Sequence, residues 1–186
     1  MAMIDSSDFK TGKTLFIDGD PWVVLDFQHV KPGKGAAILR TKMKNLKTGS
    51  TLERNFNANT KFEEAEIIRK TLQYSYNTGD TYVFMDMETF EQIEVDISKY
   101  GNTRYFLIEG CDVVIAFFQD KILGIDLPDK IEMEIAETAP AVSNASATAT
   151  KDAVTTTGLK LRVPMFIKEG EKIIVSTSDG KYSSRA

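Results

Sequence analysis

Lys34 stands between two glycines in the run Lys31-Pro32-Gly33-Lys34-Gly35-Ala36-Ala37. An ammonium group on so bare a stretch of backbone is a slender cationic finger, suited to a crowded, anionic place. The surrounding residues sharpen that reading. Between Gln28 and Arg54 the cations are Lys31, Lys34, Arg40, Lys42, Lys44, Lys47 and Arg54, against the single acid Glu53, a local charge of +6. The whole chain carries −4. A local reversal of that size fits a segment that touches phosphate. Pro-Gly and Gly-Lys-Gly also punctuate ordinary hairpins, so the run by itself reads first as a turn.

Other reactive residue types form no constellation. His29 is the only histidine and Cys111 the only cysteine, far apart in the chain. They do not make a zinc-ligand cluster. A Ser-His-Asp triad would need a nucleophile elbow of the form Gly-x-Ser-x-Gly, which is missing. The Gly33-Lys34 pair lacks the Ser or Thr and the helix that follow a phosphate-loop lysine. Glu63-Glu64 reads as a solvated pair. Cys111 precedes the apolar run Val113 to Phe118 and reads as a buried, inert thiol. No catalytic site emerges, and the chain is read as a non-enzyme without metal or cofactor.

The elements that must position Lys34 are strands. Thr14 to Ile17, Trp22 to Phe27, Ala36 to Asn45 and Ser50 to Asn57 alternate as half-buried strands do. The Lys34 run then becomes the tip of a long hairpin arm. Pro32 fixes φ and cannot continue a sheet. Gly33 and Gly35 are expected to supply positive φ on both sides of Lys34. Short, bent antiparallel strands over residues 1–64 predict a small SH3-like (KOW-like) barrel.

The remaining sequence adds two more blocks. Residues 65–128 hold strands at Lys70 to Tyr76, Thr81 to Asp86, Phe90 to Val95, Cys111 to Phe118 and Lys121 to Leu127. A short helix or irregular connection covers Ile97 to Ile108. Five strands with one such connection predict an oligonucleotide-binding (OB) barrel. Residues 129–186 open with Ile131 to Ala136. They then pass through the small, polar stretch 139–150 and continue in Leu159 to Val163, Lys172 to Val175 and a strand near Tyr182. Too few residues follow 139–150 for a separate domain, so it reads as a long loop within a third barrel. The three blocks carry +2, −6 and zero. This is one basic arm on a body that otherwise avoids anions. There is neither a signal peptide nor a membrane-length apolar run. The lone cysteine agrees with a reducing, cytoplasmic setting.

The segment Phe27-Gln28-His29-Val30-Lys31-Pro32-Gly33-Lys34-Gly35-Ala36-Ala37, with Arg40-Thr41-Lys42 and Lys44-Asn45-Leu46, closely resembles the bacterial translation elongation factor P family. The resemblance continues in Tyr82-Val83-Phe84-Met85-Asp86, in Lys151-x-Ala153 through Gly158, and in Val163-Pro164, Ile167 and Gly170. It ends in Gly180-Lys181-Tyr182-Ser183-Ser184-Arg185-Ala186 and so covers nearly the whole chain. The resemblance implies an all-β protein of one SH3-like barrel and two OB barrels in an L-shaped, tRNA-like arrangement. It implies a factor that binds the ribosome beside the peptidyl-tRNA, with prolyl-tRNA as the expected form. Such a factor promotes peptide-bond formation at consecutive prolines.

By the same resemblance, Lys34 reaches the CCA end near the peptidyl transferase centre. It matches the position that receives β-lysine in one branch, which implies a lysine-modifying enzyme as a partner. Pro32, Gly33 and Gly35 would shape the tip. Lys31, Arg40, Lys42 and Lys44 are candidates for phosphate contact, with some expected to face away by strand alternation. Tyr182 and Arg185 match family positions linked to function. They read equally well as tRNA or ribosome contacts and as a strand anchor beside a solvated charge. The stretch Val142-Ser143-Asn144-Ala145-Ser146-Ala147-Thr148 departs from the Gly-Asp-Thr type of loop found in many members, which puts codon-side contacts in doubt. The protein is expected to be a monomer with no membrane partner. A general single-strand binding protein would instead use the middle-block aromatics as stacking platforms, but most of these alternate like core.

Overall fold

The computed structural model describes residues 2–186 as an all-β chain, with 53% of residues in strands and 7% in helix. Strands fall into three antiparallel sheets, one for each block of alternating sequence. By contact density the chain divides into two compact units, residues 1–70 with 116–124, and residues 71–115 with 125–186.

The first sheet contains β1 (Met3–Ile4), β2 (Thr14–Ile17), β3 (Asp20–Val30), β4 (Ile38–Asn45), β5 (Thr51–Asn57) and β6 (Phe62–Glu64), in the order β1-β6-β2-β3-β4-β5. Ile4, Phe9, Leu15, Val24, Leu39 and Phe62 close its core, with Ile17, Phe27 and Phe56 packed on them. Burying each such side chain contributes about 1.5–3 kcal/mol. The strands β1 and β6 escape a reading of alternation because two or three residues hold no period. They are recruited because Ile4 and Phe62 must bury, and they pair with each other. Asn45 is buried at the end of β4. Its amide donates to Asp20 at 3.0 Å, and its carbonyl accepts from the backbone of Lys47 and Thr48. One side chain thus shapes the β4–β5 turn and ties it to β3.

The second sheet contains β7 (Ile68–Thr78), β8 (Thr81–Met85), β9 (Gln92–Asp96), β10 (Asp112–Phe118) and β11 (Lys121–Asp126), in the order β11-β10-β7-β8-β9. Tyr74, Tyr82 and Phe84 are core residues, as their alternation predicts. Tyr74 and Tyr82 stack with centroids 5.1 Å apart. Burial, reinforced by Tyr82 and Glu109, pushes the Tyr74 hydroxyl up to about 12. Three expectations need correction. The strand expected from Phe90 begins at Gln92, and Phe90 itself is exposed in a left-handed conformation. Tyr76 is also exposed, and Cys111 is only half-buried, its thiol raised by desolvation. The connection Ile97–Phe106 is a pair of 3-10 turns broken at Gly101, whose φ of 58° ends the first.

The third sheet contains β12 (Lys130–Thr138), β13 (Thr150–Thr155), β14 (Lys160–Pro164), β15 (Lys172–Ser176) and β16 (Tyr182–Arg185), in the order β14-β13-β12-β15-β16. The stretch 139–149 is indeed a loop within this sheet, joining β12 to β13. Strand β13 has no apolar alternation to betray it, because its inward side chains are Lys151, Ala153 and Thr155. Lys151 is buried, and its Nζ donates to the carbonyls of Ala139 at 2.5 Å and Ile167 at 2.6 Å. The core of this sheet includes Met133, Ile135, Val163, Ile173 and Val175, and it also takes in Phe106 from the 3-10 connection. Thr157 donates to the Tyr105 carbonyl at 2.6 Å beside that contact.

Candidate nucleic-acid interface

The arm is built by β3 and β4, which pair from Trp22↔Asn45 to Val30↔Ile38. Strand β5 flanks β4 from Lys44↔Thr51 to Ile38↔Asn57, and Ala58 donates to the Ala37 carbonyl at 3.0 Å. The arm is therefore supported along one side by a third strand up to Ala37. Beyond that point residues 31–36 are exposed and form no ladder. Lys34 occupies this bare tip. Gly35 has φ +129°, a region closed to side chains, and a Cβ there would sit 3.9 Å from the Pro32 ring. Gly33 differs from the expectation. Its φ is not positive, and a Cβ would meet nothing within 4 Å. Only one of the two glycines is required by the backbone; at Gly33 the missing side chain simply leaves space beside Lys34.

Strand β4 alternates without a break, and Arg40, Lys42 and Lys44 lie together on its exposed face while Leu39, Thr41, Met43 and Asn45 point inward. None of the three faces away. The register grades them electrostatically. Arg40 lies between Gln28 and Asn55, and Lys44 between Val23 and Thr51, all uncharged neighbours. Lys42 lies between Asp26 and Glu53 in the register, so an acidic residue stands opposite it on each neighbouring strand. The sequence count missed this because Asp26 sits two residues before the cationic stretch while pairing into its middle. Arg54 is turned to Asp18 at 2.8 Å and lies over Phe56, and Lys47 is 3.4 Å from Asp20. The cations left for an outside anion are Lys31 and Lys34 at the tip and Arg40 and Lys44 along the shaft. His29 is an exposed residue of β3, edge-on to Phe27, as an ordinary arm residue would be.

The C-terminal candidates are engaged within the fold. Tyr182 pairs with Val175 and packs half-buried on the third core, which raises its hydroxyl. Arg185 Nε donates to Glu171 Oε1 at 2.6 Å, and its guanidinium lies 5.2 Å from the Phe166 ring centroid. Both anchor β16. Arg185 remains more than half exposed, so its outer edge is open to a second acceptor. The loop residues Val142, Ser143, Asn144, Ser146, Ala147 and Thr148 are exposed.

Among the described residues no group of three or more His, Cys, Asp or Glu side chains could hold a metal ion, and no helix is long and apolar enough to cross a membrane. What the arm offers is cationic contact. Exposed ammonium and guanidinium groups on a rigid sheet can neutralise phosphates and donate hydrogen bonds to them.

Comparison with known proteins agrees with this arrangement. A solved archaeal protein, eukaryotic translation initiation factor 5A from Methanococcus jannaschii, is 26% identical with a TM-score of 0.53, over 67% of this chain and 90% of its own. A translation initiation factor eIF-5A family protein from Naegleria fowleri shares the fold at 13% identity and a TM-score of 0.55, over 68% of this chain and 96% of its own. Three family models match in order: the elongation factor P KOW-like domain over residues 5–62, its OB domain over 67–125, and its C-terminal domain over 131–185. The chain is a translation factor and belongs to the elongation factor P family.

Proposed function

We propose that this chain binds the ribosome beside a peptidyl-tRNA, prolyl-tRNA in particular, and speeds peptide-bond formation at consecutive prolines. In this reading the arm enters along the tRNA acceptor end, and Lys34 reaches the CCA end near the peptidyl transferase centre. The observation that carries the reading is the bare tip around Lys34, joined to a shaft whose cations share one face. Proline's ring restricts the geometry of attack, so alignment is the costly part of the step. A factor that holds the peptidyl end in a reactive pose lowers that entropic cost without contributing a catalytic group. Intramolecular alignment of this kind supplies up to about 7–11 kcal/mol in model reactions, so even a small part of it is ample.

Lys34 is also the proposed acceptor for a β-lysyl-type modification added by a separate enzyme. The extension would carry further N–H donors past the glycines toward the tRNA backbone. Pro32 and Gly35 hold the tip's shape, and Lys31, Arg40 and Lys44 take phosphates, with Lys42 a weaker contributor. The protein works as a cytoplasmic monomer in this scheme. The test is reconstituted translation of a Pro-Pro-Pro reporter beside a proline-free control. Protein purified from its own host should rescue the proline reporter selectively, and Lys34→Ala should abolish the rescue with the melting temperature unchanged. No rescue by the native protein overturns the reading, and intact-mass analysis of the same sample reports what Lys34 carries.

A further inference from the structure

The β8–β9 turn is the least expected surface of the molecule. Among the described residues Phe90 is the most exposed large apolar side chain at 69%, and Met87 in the same turn is 50% exposed. The turn is also rigid. Asp86 Oδ1 accepts from the backbone of Glu88 at 2.9 Å and Thr89 at 3.3 Å. Asp86 N donates to the Glu91 carbonyl at 2.9 Å, and Phe90 N to the Asp86 carbonyl at 2.7 Å. These bonds hold Phe90 at φ 60°, a region that bulky residues rarely adopt. A glycine would suit the same turn better. The chain instead holds an aromatic ring out in water at a strained position.

The charge around the turn says what can cover it. From Thr71 to Ser98 there are six acids (Asp80, Asp86, Glu88, Glu91, Glu94 and Asp96) and no Lys, Arg or His. Asp80 is partnered by Arg104 at 2.6 Å. Glu88 and Glu91, on either side of Phe90, are exposed. A phosphate backbone is repelled by this surface, whereas a protein surface with lysines or arginines around an apolar hollow complements it.

We propose that the Asp86–Glu91 turn is a docking knob for a cationic protein component of the ribosome, with Phe90 and Met87 entering an apolar pocket and Glu88 and Glu91 facing its basic rim. The inference rests on the ribosome-bound reading above and adds a protein contact made by the middle domain. Binding of the full-length protein to purified 70S ribosomes carrying peptidyl-tRNA tests it. Phe90→Gly should leave the melting temperature unchanged or raised, because glycine accepts φ 60°, yet weaken binding at least fivefold. Glu88→Lys with Glu91→Lys should also weaken binding. A p-benzoylphenylalanine at position 90 should cross-link to a ribosomal protein at a segment rich in Lys or Arg. Wild-type affinity for Phe90→Gly, tighter binding by the double lysine variant, or a cross-link to rRNA overturns the proposal. If the wild-type chain binds and rescues the proline reporter while Phe90→Gly matches it, only the knob fails. If the wild-type chain does not bind, both readings fail.

Discussion

Arg185 is clasped by Glu171, with Nε 2.6 Å from Oε1, so the last charged residue of the chain is part of the third domain's framework. The same carboxylate accepts the backbone N–H of Lys168 through Oε2 at 2.9 Å. That backbone bond and the Arg185 guanidinium hold Glu171 below its ordinary value of 4.5. A depressed carboxyl contributes stability that is complete above its unfolded value and disappears as pH falls through its folded one. Thermal melts of the wild type should therefore lose stability below about pH 4.5, and Glu171→Gln should flatten that fall. Parallel curves for the two proteins would remove Glu171 from the account. Arg185→Ala should also cost stability, in the range of about 0.5–1 kcal/mol for an exposed pair.

The two tip glycines should respond differently to substitution. Gly35→Ala forces a Cβ onto φ +129°, at a cost of about 1–3 kcal/mol where the backbone cannot relax. Gly33→Ala meets open space at an ordinary φ and should leave the backbone unaltered. NMR chemical shifts of residues 31–37 read this directly. Movement of the tip resonances in the Gly35 variant and not beyond the neighbours in the Gly33 variant is the expected outcome.

Arg40 and Lys42 lie two residues apart on one strand but in unlike surroundings. Arg40→Ala should weaken ribosome binding about fivefold to tenfold and lower the salt slope by roughly one. Lys42→Ala should do less, because the register sets Lys42 between Asp26 and Glu53, a more anionic place for a phosphate to approach than the uncharged surroundings of Arg40. Equal losses from both would show that the flanking carboxylates do not set the strength of these contacts.

Lys151, at the start of β13 just after the 139–149 loop, ties the loop's first residue Ala139 and the separate segment at Ile167 together. Lys151→Met keeps the length of the stem but leaves two carbonyls without their charged donor. We expect a loss of about 2–3 kcal/mol, since hydrogen bonds to charged groups contribute about 1.5–3 kcal/mol. Amide exchange in residues 139–149 should speed up more than in β15. Uniform acceleration across the domain would mean that Lys151 supports the core as a whole rather than the root of this loop.

The sequence by itself determined the strand-rich architecture, the hairpin arm and the position of Lys34 at its tip. Alternation of apolar residues is a local property, and Pro32 and Gly35 exclude the tip from the sheet by local chemistry. The tertiary structure decided what depends on partners distant in sequence. Strands β1 and β6 exist only because Ile4 and Phe62 meet in one core. Strand β13 was hidden because its inward lysine finds carbonyls on two other segments. The value of each arm cation depends on cross-strand register, which sets Asp26 beside Lys42 and Gln28 beside Arg40. Phe90 reads as the start of an alternating strand and becomes surface because the Asp86 hydrogen bonds hold it in the turn before β9. A residue's type and its near neighbours set which backbone conformations are cheap; which charges and apolar surfaces remain unpaired is set only when the sheets have formed.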